Sequence, residues 1–147
     1  PYTPHWHNLR KLLEIGDERT LKTYFALLEE AELLISLYKS SEKLDSLENP
    51  AKIYLQNTNL CYVVAKSYEN IGTIRETFLF NMLYQRHHVT LPINGDFLID
   101  KTIVLEVGGA NKSKKQVREH QRAFVIQDNI EIGIGSKIPL WIFGFLY

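Results

Sequence analysis

The stretch NGDFLIDKTIVLEVGGANKSKK, residues 94–115, holds Asp96, Asp100 and Glu106, and the pair that could share a site is Asp96 and Glu106. They flank a hairpin-like alternation of apolar and polar residues, and a basic run follows them. That is how a metal-dependent nuclease site can look in sequence, because hard divalent cations take oxygen ligands. A third acid, Glu76, falls in a helical stretch about half a turn from a stripe of Ile74, Phe78 and Met82. An acid so placed serves a site or simply faces solvent, as most do.

Whether Asp96 and Glu106 can meet depends on strand register. If Asp100 and Lys101 form a two-residue turn, Ile99 pairs with Thr102 and Glu106 faces away from Asp96. If Asp100, Lys101 and Thr102 form a three-residue loop, Ile99 pairs with Ile103 and Asp96 falls opposite Glu106.

The basic run comprises Lys112, Lys114, Lys115, Arg118 and Arg122 against Glu119, the densest positive stretch in the chain. It suits a phosphate backbone or one solvated helix face. His5 and His7 flank Trp6, and His87 adjoins His88, but no third ligand with suitable spacing accompanies either pair. Gly133-x-Gly135 lacks a third glycine and reads as flexible strand. Trp141, Phe143, Phe145 and Tyr147 read as core packing.

The elements around these residues set the class. With 147 residues and 45% apolar content, the chain can bury one core or two small ones, which excludes disorder. Basic and acidic residues balance at 17 each, so no overall field points to nucleic acid or membrane. Cys61 is the only cysteine, which excludes an internal disulfide framework and fits a reducing, cytoplasmic setting. The most apolar run, IPLWIFGFLY, is far shorter than the roughly 20 residues that span a bilayer, so no membrane partner is expected. The absence of an initiator Met suggests a fragment, and no phosphate-binding loop is present.

Leu9, Leu12 and Leu13 recur at helical spacing until Gly16, and Asp17 suits the N-cap of a second helix carrying Leu21, Phe25 and Leu28. LLISLYKS and KIYLQN then read as strands. Two helices and a two-stranded wing make the winged-helix pattern over residues 1–56. Arg19, Lys22 and Thr23 would be its DNA readers. Yet residues 1–50 hold six basic side chains against nine acids, a net of −3, which handicaps phosphate contact and leaves protein docking open. From residue 57 to 147, NTNLCYVVAK and GTIRETFLFNMLYQR read as helix and HVTLP, DFLID and TIVLEVG as strand. KSKKQVREHQR reads as helix again, followed by the strands AFVIQD and IEIGIG. The class is α/β (α+β) with a mixed sheet.

KIYLQNTNLCYVVA, NIGTIRETFLFNML, GDFLIDKTIVLEVGGANKSKKQ and AFVIQDNIEIGIGSKIPLWIFGFLY together resemble the C-terminal region of a family of bacterial and archaeal AAA+ ATPases. In that family a winged helix is followed by a domain of unknown function similar to the PD-(D/E)XK nucleases. The resemblance implies an ATP site only in an upstream ATPase domain, which would be this chain's partner. It places the nuclease acids at Glu76, Asp96 and Glu106, with Asp96 and Glu106 on Mg²⁺. The family pattern puts a lysine two residues after the second acid; here that residue is Gly108, and Lys112 would have to swing back over the GGAN turn. The expectation is a noncatalytic DNA- or protein-binding region with a degenerate nuclease-like site. A metal-dependent nuclease using Asp96, Glu106, Lys112 and Glu76, or a structural module for homo-oligomer contacts, are the alternatives.

Overall fold

The computed structural model describes residues 1–40, 49–64, 70–109, 111 and 122–146. Helix α1 spans Trp6–Leu12 and α2 spans Glu18–Glu30. Asp17 caps α2 as expected: its carboxylate accepts the Arg19 N–H at 2.8 Å and so satisfies a first-turn donor. That hydrogen bond also holds the Asp17 carboxyl below its ordinary pKa.

Helix α1 stops earlier than Gly16. Leu13 caps it and Glu14 turns the chain with φ at 55°, so a left-handed acid ends the helix. Leu12 and Leu13 are exposed, and α1 is held instead by Trp6, whose ring meets Phe25 of α2 edge-on at 5.1 Å. On α2 the stripe is anchored by Leu21, while Tyr24, Leu27 and Leu28 face outward.

Strands β1 (Leu34–Leu37) and β2 (Lys52–Leu55) pair antiparallel, Leu34 opposite Leu55 and Leu37 opposite Lys52. Two helices follow, α3 (Thr58–Val64) and α4 (Ile71–Tyr84), the second capped by Asn70 through the Gly72 N–H at 2.9 Å. The second sheet holds β3 (Val89–Thr90), β4 (Phe97–Ile99), β5 (Ile103–Gly108), β6 (Ala123–Gln127) and β7 (Lys137–Pro139), in that spatial order. Its first three strands are antiparallel and its last three parallel, so the chain is α+β with a mixed sheet.

Three details differ from expectation. IEIGIG is a turn: Gly135 has φ at 62°, a Cβ on Gly133 would lie 2.6 Å from the Lys137 carbonyl oxygen, and the strand begins at Lys137. The aromatic tail forms a 3-10 helix, Leu140–Phe145, that buries Leu140 but leaves Trp141 and Phe145 exposed; Tyr147 lies outside the described residues. In α4 the fully buried face is Thr77, Leu79, Phe80 and Leu83, rotated from the expected stripe, because the rings of Tyr54 and Phe97 draw Phe80 inward.

One apolar cluster joins both halves of the chain. Ile35, Leu37 and Tyr54 pack with Leu79, Phe80 and Leu83 of α4 and with Phe97, Ile99, Leu105, Val107 and Ile126 of the larger sheet. The core therefore runs across residue 56. On the opposite face of that sheet Val104 and Ala123 form a second cluster with Leu98.

Candidate acid cluster and its basic neighbours

The register that decides the acid pair is the longer one. Ile99 pairs with Ile103 and Phe97 with Leu105, the register of the three-residue loop; the ladder ends there, and the Asp96 N–H turns to the Leu105 carbonyl oxygen at 2.9 Å. Asp100 and Lys101 have φ at 48° and 61°, and the Thr102 N–H reaches the Ile99 carbonyl oxygen at 3.0 Å. The tight two-residue turn thus forms, and Thr102 is the extra residue that shifts the ladder by one. Asp100 holds this corner by accepting the His88 N–H at 2.9 Å and meeting His87 Nδ1 at 2.8 Å. Those bonds, the His87 contact foremost, lower its pKa.

Asp96 is half-buried at the start of β4. Its N–H donates to the Leu105 carbonyl oxygen at 2.9 Å and its Oδ2 accepts the Val107 N–H at 2.8 Å, so backbone and side chain together close the end of the hairpin. Burial pushes its pKa up to about 6, and the charges of Glu106 and Glu76 add to that, while the Val107 hydrogen bond and Lys52 oppose it.

Glu106 is only 1% exposed. Alternation along β5 puts it on the face of Val104, whereas Leu105 and Val107 point to the face on which α4 packs. Glu76 belongs to α4. It does not face solvent: its Oε2 accepts from Lys52 Nζ at 3.1 Å and from the Tyr54 hydroxyl at 2.9 Å. Burial, then the Glu76 charge, raises the Tyr54 pKa. Asp96 at the strand end feels the charges of both other acids.

These contacts bear on Mg²⁺. Among the described residues no group of three or more His, Cys, Asp or Glu side chains is placed to hold a metal ion. With Glu76 committed to Lys52 and Tyr54, and one Asp96 oxygen committed to the β5 backbone, the arrangement does not fit a hard cation that needs several free carboxylate oxygens. Gly108 pairs with Gln127 on β6 and offers no side chain. The guanidinium beside that strand end is Arg75, which lies against Gly109 and binds Asp128 at 2.9 Å. No protein-family model, curated protein or solved structure matches the chain.

Lys52, Tyr54 and Arg75 were not among the residues singled out from sequence. A signal for the first two existed, since Lys52 and Tyr54 stand two apart on a strand and so share a face. Lys112, Lys114, Lys115 and Arg118 lie outside the described residues; Arg122, just before β6, is exposed. On α2, Arg19 and Thr23 are exposed, but the Thr23 hydroxyl donates to the Arg19 carbonyl oxygen at 3.0 Å. Lys22 is engaged by Glu18 at 3.2 Å and lies 5.6 Å from the centre of the Trp6 ring. No helix among the described residues is long and apolar enough to cross a membrane.

Proposed function

We propose that this chain is a noncatalytic binding module, the C-terminal accessory region of an AAA+ ATPase, in which a winged helix is fused to a nuclease-like domain without nuclease activity. The observation that carries this reading is the commitment of the acids to the fold: Asp96 to the Val107 N–H, Glu76 to Lys52 and Tyr54. Catalysis would need these groups held ready for substrate and metal. The residues assigned to nucleic-acid contact are Lys114, Lys115, Arg118 and Arg122, whose positive charge sits in the connection from β5 to β6.

The test is the salt dependence of binding to a fluorescein-labelled DNA duplex and single strand. Replacing Lys114, Lys115 and Arg118 by Ala is expected to reduce the slope of log K against log salt by roughly one per lost phosphate contact. Absence of salt-sensitive binding by the unaltered chain rejects the nucleic-acid assignment.

Protein docking is a second reading for α2, favoured by its exposed Tyr24, Leu27 and Leu28 and by the engagement of Lys22 with Glu18. A metal-dependent nuclease is a third, favoured by the charges of Glu106 and Glu76 acting on the half-buried Asp96. Absence of any metal-dependent cleavage rejects that third reading.

A further inference from the structure

Asn94 is the one asparagine of the chain that is followed by glycine. The pair lies in the loop from β3 to β4, where Ile93 is 98% exposed and Asn94 stands open to water beside it. Gly95 turns the chain there with φ at 109°, a conformation that residues with a Cβ rarely adopt. Among the described residues neither the Asn94 side chain nor the Gly95 N–H has a hydrogen-bond partner.

Asparagines elsewhere are held. Asn57 accepts the Leu60 N–H at 3.0 Å, Asn70 accepts the Gly72 N–H at 2.9 Å, and Asn81 donates to the Gln56 carbonyl oxygen. A held amide must give up its hydrogen bond before its carbon can turn toward the next backbone nitrogen. Asn94 has no such bond to lose, and Gly95 presents its nitrogen with no side chain in the way.

We propose that Asn94 and Gly95 form a self-modifying site. The Gly95 nitrogen bonds to Asn94 Cγ, the Cγ–Nδ2 bond breaks, and ammonia leaves with the proton that the Gly95 nitrogen carried, which closes a succinimide ring. Both reacting atoms belong to one chain, so the attack is intramolecular. Water then opens the ring at either carbonyl. Opening at Cγ gives aspartate, and opening at the backbone carbonyl gives isoaspartate, in which the main chain runs through the side-chain carbon.

Either product puts a carboxylate two residues before Asp96. Two residues span at most about 7 Å, less than the screening length of about 8 Å at physiological ionic strength. The new charge therefore adds to those of Glu106 and Glu76 on Asp96 and favours its neutral form, a poorer acceptor for the Val107 N–H. Isoaspartate also lengthens the backbone of the loop that seats Asp96. The modification thus loosens the closed end of the β4–β5 hairpin, and it does so in one direction only.

The chain is incubated in mildly alkaline buffer and followed over time by trypsin digestion and mass spectrometry. Residues 87–101 form one tryptic peptide in which Asn94 is the only amide side chain, whereas Asn70 and Asn81 fall in peptides 67–75 and 76–86. The mass gain from replacing NH by O should appear in the first peptide at least about tenfold faster than in the other two, the effect of one hydrogen bond on a barrier. In Asn94→Gln, whose longer side chain closes a less favourable ring, the same peptide should stay unchanged. In converted protein the Val107 amide should exchange with deuterium at least about threefold faster than in fresh protein, as local opening of the hairpin end requires. Conversion at Asn94 no faster than at Asn70 or Asn81 overturns the inference. Conversion that leaves Val107 exchange unaltered overturns its coupling to the hairpin.

Discussion

The carboxylate of Asp96 accepts a hydrogen bond from the Val107 N–H at 2.8 Å, so the side chain of this acid ties the start of β4 to the end of β5. Its position at the strand end brings it within reach of the charges of both Glu106 and Glu76. Two like charges and burial then make ionisation of Asp96 costly.

The consequence is a defined pH dependence. The pKa of Asp96 is raised from 3.8 to about 6, chiefly by burial, so the folded state holds this proton more tightly than the unfolded chain. The stabilising contribution is complete below about pH 4 and is lost as pH rises through about 6. Asp96→Asn keeps an acceptor for Val107 and removes the charge. In urea unfolding it should exceed the unaltered chain by about 1–3 kcal/mol at pH 7.5, with a much smaller gain at pH 4. A gain equal at both values would contradict the assignment.

Glu76 should depend on both of its donors. Lys52 and Glu76 are each about one-fifth exposed, so their pair is weakened but not abolished by water. Lys52→Met is expected to destabilise by about 1–2 kcal/mol, because it leaves a partly buried carboxylate with Tyr54 alone. A double-mutant cycle with Glu76→Gln should give a coupling of at least about 0.5 kcal/mol. Additive effects would mean that the contact carries no energy.

Thr77→Val should stabilise the protein. It removes a buried hydroxyl without a partner among the described residues, and the expected gain is about 1 kcal/mol in urea unfolding. Destabilisation by more than about 1 kcal/mol would show that the hydroxyl is satisfied in solution.

Much of the local structure was legible in the residues. Asp17 capped its helix because a short carboxylate before a run of helix formers has one good use, the first-turn N–H groups. The choice of hairpin register could be framed from sequence but not decided, since Asp100 and Lys101 adopt the tight turn while Thr102 adds the extra residue. What sequence did not disclose was long-range. The partner of Glu76 lies 24 residues earlier on another element, and its distance from solvent follows from how α4 packs on the first sheet. The turn at Gly133 and the exposed rings of Trp141 and Phe145 were hidden for a related reason. Alternation and apolarity describe a segment, whereas the close approach of Lys137 and the shortness of the 3-10 helix are facts about its neighbours.

The central claim, that the acids serve the fold and not phosphodiester cleavage, meets its most direct test in one cleavage assay. Single- and double-stranded DNA and RNA are incubated with Mg²⁺ or Mn²⁺ and the unaltered chain, Glu106→Gln, or Gly108→Lys, which restores the lysine position. The account predicts no metal-dependent cutting by any of the three, because Glu76 stays engaged by Lys52 and Tyr54 and one Asp96 oxygen by the Val107 N–H even when the lysine is present. Cutting by the unaltered chain that disappears in Glu106→Gln would contradict it.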